Sequence, residues 1–219
     1  MALTPVAPTR PDLPALFGSA RVAIGTAVPT EAASERLSAQ VRAAVPAQLG
    51  PGRLRSFAAG RLAAGRAMAA LGSPGAPGGR PGRRPAWPPG VHGSIAHCAD
   101  LAVCAVGPDR GPRIGIDVER VDRPHLADEL LGVLCDSAER ADLVARYPRQ
   151  AALLAHCAKE ASFKSLSAAD QVGLPLRRLR LVPEAGPLHF TAWIGDRRIA
   201  AVRLAQVGEH LLAGAVAGD

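Results

Sequence analysis

Two carboxylates stand two residues apart in the segment Arg113-Ile114-Gly115-Ile116-Asp117-Val118-Glu119-Arg120, where apolar and acidic residues alternate. Successive side chains of a strand leave opposite faces, so an extended segment here puts Asp117 and Glu119 side by side. Ionised carboxylates at that separation repel each other, and a shared proton or a bound cation relieves the repulsion. Oxygen donors of this kind suit a hard dication such as Mg²⁺, which keeps water and substrate phosphate in its remaining positions. The same alternation would serve the solvated face of an edge strand, so the decision rests on what the rest of the chain adds.

Three other groups add to it. In His156-Cys157-Ala158-Lys159-Glu160-Ala161-Ser162-Phe163-Lys164, Glu160 and Lys164 are four apart and share a helix face, while Lys159 is turned about 100° away. Arg53 and Arg61 lie eight residues apart on one face of a predicted helix, and a row of guanidinium groups suits phosphates. Gly93-Ser94-Ile95-Ala96-His97-Cys98 offers a hydroxyl and an imidazole, both able to donate to an anionic oxygen. No G-x-S-x-G elbow surrounds Ser94, which argues against a nucleophile pair.

The elements that must hold these residues can be read from pattern and punctuation. Residues 1–29 are Pro-rich, with a short strand predicted at Arg21–Ile24. Thr30 caps a predicted helix through Glu31, Leu37 and Val41 to about residue 44, stopped by Pro46. A second helix is predicted over Arg53–Leu71, with Gly72 as its stop. Residues 73–89 are a Gly-, Pro- and Arg-rich loop carrying Arg80, Arg83 and Arg84. An apolar strand follows at Leu101–Val106, then the acidic strand, then helices at Asp128–Leu134, Ser137–Arg146 and from Pro148 to Leu166. The remainder reads as strands at Arg177–Val182, Leu188–Ile194, Arg197–Ala205 and Leu211–Val216. Leu101, Ala105 and Val106 recur as Leu211, Ala215 and Val216, a displacement of 110 residues, which agrees with a duplicated architecture.

Composition narrows the functional classes. With 48% hydrophobic and 21% charged residues the chain reads as globular rather than disordered. Its formal charge of +7 attracts polyanions, whether nucleic acid, a phosphorylated metabolite or an acidic protein. Aromatics amount to only 3%, too few for a base-stacking platform, which counts against single-strand nucleic-acid binding. Cys98, Cys104, Cys135 and Cys157 show no C-x-x-C spacing and read as buried free thiols of a reducing compartment. Neither a leader pattern nor a membrane-length apolar run is visible, so a cytoplasmic protein is expected, without a membrane or nucleic-acid partner.

Taken in order, these motifs resemble the 4'-phosphopantetheinyl transferase superfamily: Arg53 and Arg61 around Phe57, Arg83-Arg84-Pro85-Ala86-Trp87-Pro88, the segment from Gly93 to Cys98, Gly115-Ile116-Asp117-Val118-Glu119, and Cys157 to Lys164. The chain is similar to the two-half enterobactin-synthetase and surfactin type. The resemblance implies an α+β, sandwich-like fold of two similar halves related by a pseudo-twofold, at residues 1–110 and 111–219, in a monomer. It implies transfer of the phosphopantetheine arm of coenzyme A to a serine of an acidic apo carrier protein, with release of 3',5'-ADP. Asp117, Glu119 and Glu160 would hold Mg²⁺, or Mn²⁺ as an alternative. Lys159 and Lys164 would face the phosphates, while Arg53, Arg61, Arg83, Ser94 and His97 would bind the nucleotide and its 3'-phosphate. Glu160, Lys164 and Asp117 would carry the catalysis, with Glu160 and a metal-bound water both open as the base. His156 departs from the pattern, since relatives commonly carry an aromatic residue there, and Gly65 interrupts the Arg helix. The rival readings are another Mg²⁺-dependent nucleotide phosphotransferase or diphosphate hydrolase, and a non-catalytic basic binding protein.

Overall fold

The computed structural model describes residues 13–218 apart from 38, 44, 47, 48, 74, 80, 82, 83 and 123–127. A 3-10 turn at Leu13–Phe17 leads to β1 (Ala23–Ala27), α1 (Glu31–Glu35), α2 (Ala39–Ala43), α3 (Pro51–Leu71), β2 (Val91–His97) and β3 (Ala102–Pro108). Then come β4 (Ile114–Arg120), α4 (Asp128–Leu134), α5 (Ser137–Arg146), α6 (Ala151–Ser165) and α7 (Ala168–Gln171). A second 3-10 turn at Leu176–Arg178 precedes β5 (Arg180–Pro183), β6 (His189–Ile194), β7 (Arg197–Val207) and β8 (His210–Ala217).

Among the described residues the strands pair antiparallel and form two sheets, β1-β3-β2 and β4-β8-β7-β6-β5. The mixed α/β architecture agrees with the expected class, and the topology repeats: β4-β8-β7 stands to α6 as β1-β3-β2 stands to α3. One core lies between α3 and the first sheet, a second between α6 and the larger sheet, and a third fills the seam between the sheets with Phe17, Val103, Ile116 and Leu212. β3 and β4 are therefore covered on both faces, which is why β3 reads as an unbroken apolar run.

Each helix approaches its first strand through a glycine. A Cβ on Gly25 would collide with the backbone carbonyl of Ala63 and come within 2.7 Å of the Ala67 amide. A Cβ on Gly115 would collide with the carbonyl of Ala161 and come within 2.7 Å of the Ser165 amide. The two contacts align the halves, and they correct the internal echo. Gly25 pairs with Cys104 across β1–β3, whereas Gly115 pairs with Ala215 across β4–β8. The matching displacement is thus 111, not 110. A shift of one residue turns a strand's side chains to the other face. Accordingly Ala105 faces the seam while Ala215 faces α6.

Two predicted helices change shape. The Thr30 cap forms, its hydroxyl oxygen accepting from the Ala33 amide at 3.2 Å, but the helix turns at Arg36 and resumes as α2. Arg42 reaches back to the carbonyls of Ser34 and Glu35 at 2.8 and 3.0 Å, tying α2 to the end of α1 across the break. The break keeps Ala33, Leu37 and Val41 packed together against Ala58 of α3. The long site helix starts at Ala151 rather than Pro148, because Tyr147 already closes α5. The sheet edges β2 and β4 meet at the seam, where Ser94 Oγ accepts from the Ile116 amide at 3.1 Å in place of a ladder bond. Among the described residues no helix is long and apolar enough to cross a membrane.

Candidate functional site

β4 lies against β8 so that Gly115, Asp117 and Glu119 oppose Ala215, Ala213 and Leu211, the row packed on α6. Both carboxylates thus point toward the helix rather than to solvent, and Asp117 is 5% and Glu119 8% exposed. Beside them runs a helix row at intervals of four: His156, Glu160 and Lys164. Lys164 Nζ donates to Asp117 Oδ1 at 2.6 Å and lies 3.9 Å from Glu160 Oε2. His156 Nε2 sits 3.4 Å from Glu119 Oε1.

The alternation of β4 is therefore not that of a solvated edge but of a strand with two buried carboxylates. Burial acts to lower the Lys164 pKa, but the Asp117 carboxylate and its hydrogen bond, helped by Glu160, outweigh it and leave the ammonium favoured. The hydrogen bond with Glu119 raises the His156 pKa against the effect of burial. His97 goes the other way: burial, then the Lys164 charge, push it down and favour the neutral imidazole.

A dication fits this pocket on chemical grounds. Donor atoms of Asp117, Glu119 and His156 all lie within 4.8 Å of one another. Asp117 Oδ2 is buried and has no hydrogen-bond partner among the described residues, an unmet acceptor that a cation would satisfy.

Two adjoining cavities open from the site. One of 910 Å³ lies between β2 and α6 and is lined by Arg84, Trp87, Ser94, Arg113, Glu160 and Lys164, among others. The other, of 440 Å³, lies under α3 and is lined by Arg53, Ser56, Phe57, Arg61 and His97, among others. Pro85 and Ile95 line both. Guanidinium, ammonium, hydroxyl and imidazole groups around these adjoining hollows suit a phosphorylated ligand, and Lys164, which lines the larger one, is bonded to the buried Asp117 behind it.

The expected residues fall into three sets. Asp117, Glu119, Glu160 and Lys164 come together, and Arg53, Ser94 and His97 border the cavities. Lys159 does not join them and corrects the expectation that it faces phosphate. It is 0% exposed on the opposite side of α6, donating to Glu139 Oε2 at 2.8 Å and to the Leu134 carbonyl at 2.6 Å. The 100° turn between neighbouring helix residues sends it into the core when Glu160 faces the site. Arg61 borders its cavity but is largely buried, its guanidinium donating to the Gly78 carbonyl at 3.1 Å and lying 4.5 Å over the Phe57 ring. Arg83 lies outside the described residues, whereas Arg84 lines the larger cavity. Glu160 belongs to the site through Lys164 rather than to the tight donor group, where His156 stands instead. Sequence reading missed His156 and Arg113 as site residues. The signal for His156 was its spacing, four before Glu160 and eight before Lys164.

Comparison with known proteins meets this geometry. Residues 38–107 match the 4'-phosphopantetheinyl transferase N-terminal domain, and residues 113–215 match the 4'-phosphopantetheinyl transferase superfamily. The two matches meet between β3 and β4, where one sheet ends and the other begins. Enterobactin synthase component D of Salmonella typhimurium is 43% identical over 119 residues, covering 53% of this chain and 49% of that protein. The 4'-phosphopantetheinyl transferase Svp of Streptomyces mobaraensis is 36% identical over 151 residues, covering 65% of this chain and 59% of its own. The chain thus spans about half the length of the enterobactin component. A solved structure, the holo-[acyl-carrier-protein] synthase of Thermotoga maritima, aligns with 49% of this chain and 63% of its own at 20% identity and a TM-score of 0.41. With both sequence matches laid end to end over the two sheets and the acidic site, the chain belongs to the 4'-phosphopantetheinyl transferase superfamily.

Proposed function

We propose that this chain transfers the 4'-phosphopantetheine arm of coenzyme A to a serine of an apo carrier protein and releases 3',5'-ADP. The observation that carries the reading is the buried Asp117–Glu119 pair, with Lys164 held on Asp117 at the wall of the larger cavity.

In the reaction the serine hydroxyl oxygen forms a bond to the phosphorus that bears pantetheine, and the bond from that phosphorus to the bridging oxygen breaks. Negative charge builds on the bridging and equatorial oxygens as this happens. Asp117 and Glu119 would hold Mg²⁺ or Mn²⁺, which when bound supplies neutralising charge to the diphosphate. Lys164, kept protonated by Asp117 and Glu160, supplies a fixed ammonium for the leaving phosphate. Glu160 borders the cavity with its side chain 30% exposed, so it can take the serine proton and pass it to solvent. Arg53, Ser94, neutral His97 and the loop arginines hold the nucleotide and its 3'-phosphate. The nucleophile belongs to the partner, so no nucleophile is needed from this chain. Its formal charge of +7 steers an acidic carrier toward it. Both sheets that wall the site come from one chain, which supports a monomer.

Intact-mass spectrometry of an apo carrier protein incubated with the chain, coenzyme A and Mg²⁺, beside a chelated control, tests the proposal. A metal-dependent gain of one phosphopantetheine arm is the expected result, lost in Glu160→Ala while the fold persists. No gain across several carriers, or undiminished transfer by Glu160→Ala, would overturn the reading or the assigned base respectively.

A further inference from the structure

The donor group beside β4 is not made of carboxylates alone. His156, one turn before Glu160, brings its Nε2 to 3.4 Å from Glu119 Oε1 and shares the 4.8 Å group with Asp117 and Glu119. Two donors on one ion at about 2.1 Å and an angle of 90–110° stand roughly 3.0–3.4 Å apart, so this separation already fits a common ion.

Two buried atoms of this group are unmet, and one of them, Asp117 Oδ2, is a free acceptor for a cation. The Asp117 side chain is 8% exposed and its Oδ2 has no hydrogen-bond partner among the described residues. His156 Nδ1 is likewise buried without one. Lys164 occupies the other Asp117 oxygen at 2.6 Å, so Oδ2 is the atom left to face a cation.

We propose that His156 is a nitrogen ligand in the Asp117–Glu119 cation site, giving a mixed imidazole–carboxylate set that favours first-row transition dications such as Mn²⁺ over Mg²⁺. This rests on the transferase reading only for placing a dication there. Imidazole is a borderline donor that adds affinity along the transition series, whereas Mg²⁺ keeps oxygen ligands and water. A carboxylate set without His156 would have no such bias.

The test uses the full chain and Mn²⁺ alone, without coenzyme A or carrier. Electron spin-echo spectroscopy of bound Mn²⁺ should show modulation from a coordinated ¹⁴N nucleus, a signature that oxygen ligands do not give. His156→Phe should abolish that modulation and weaken Mn²⁺ binding by about tenfold, while Mg²⁺ affinity, read by calorimetry, moves by less than about threefold. Bound Mn²⁺ without nitrogen modulation in the unaltered chain would overturn the inference, and that outcome needs no variant to fold. So would modulation that survives His156→Phe, which would assign the ion to His210 in the separate group formed with Cys98 and Asp100. Nitrogen coordination in a chain that fails to modify any carrier would uphold the inference and remove the functional reading. Transfer by a chain lacking nitrogen coordination would do the reverse.

Discussion

The two halves share a scaffold and differ in what they hang on it. Gly25 lies against Ala63 and Ala67 of α3 just as Gly115 lies against Ala161 and Ser165 of α6. Two residues before each contacted alanine stands a buried cation, Arg61 in one helix and Lys159 in the other. Three residues after it stands a second cation that reaches back to the strand: Arg66 to the Thr26 carbonyl, Lys164 to the Asp117 carboxylate. Two residues past each glycine, however, the first half has buried Ala27 and the second has Asp117. Similarly, the places of His156 and Glu160 are held by Ala58 and Leu62. The backbone arrangement is common to both halves, while the acidic chemistry belongs to one. The glycine contacts and buried cations are thus scaffold, and what breaks the symmetry marks the site.

Removing the buried cation from the second half should have the largest effect. Lys159→Met leaves Glu139, itself 3% exposed, as an uncompensated buried carboxylate, at a cost of about 3–5 kcal/mol. Glu139 Oε1 also accepts from the Leu181 amide at 2.7 Å, so the damage reaches β5. Urea unfolding checks the loss, and Glu139→Gln added to Lys159→Met should recover most of it. A stable Lys159→Met chain with weakened coenzyme A binding would return Lys159 to the phosphates. Next come Gly25→Ala and Gly115→Ala, each expected to destabilise by about 3 kcal/mol because the obstruction is backbone that cannot swing aside. Near-equal losses support the alignment of the halves; a loss confined to one would break it.

How much of this was legible in the sequence follows from the range of each interaction. Asp117 and Glu119 on one face, and Glu160 beside Lys164, are consequences of strand and helix periods and needed no partner to be known. The side that Lys159 faces depends on Glu139, twenty residues away, and on where α4 ends. His156 as a donor depends on β4 lying beside α6, a contact between distant segments. The sequence does not announce β2 as a strand, because Gly93 and Ser94 interrupt its apolar pattern, and both serve the seam and the cavity rather than a sheet core. The echo between β3 and β8 named the right strands and missed the register by one residue, since small apolar residues on both faces of a covered strand look alike.

Arg61→Met should cost less than Lys159→Met, about 1–2 kcal/mol, although both remove a buried cation. Arg61 is held by a neutral carbonyl and an aromatic ring, and Met can fill much of its volume without stranding an opposite charge. Equal costs for the two variants would mean that Arg61 also answers a carboxylate in solution. The resulting order would rank the second half as the one with charge built into its core.

The smallest effect is expected where the halves are tied rather than within either. Asp100, in the turn between β2 and β3, accepts from Arg120 of β4 at 2.6 Å and stands 3.0 Å from His210 Nε2 of β8. The hydrogen bond from His210, with those of Cys98 and Arg120, holds its carboxyl below the usual range against the opposing effect of burial. A carboxyl depressed in the folded state contributes stability that is present above its unfolded value, here 3.8, and is lost as pH falls through the lower folded value. Asp100→Asn should therefore cost less than about 1 kcal/mol at neutral pH, the scale of a partly exposed ion pair. Its stability should fall less steeply than that of the unaltered chain in the acid limb, as read by thermal unfolding across that window. Identical acid limbs would mean that the seam is held by its apolar core and the Ser94–Ile116 bond alone, with the charged turn merely resting on it.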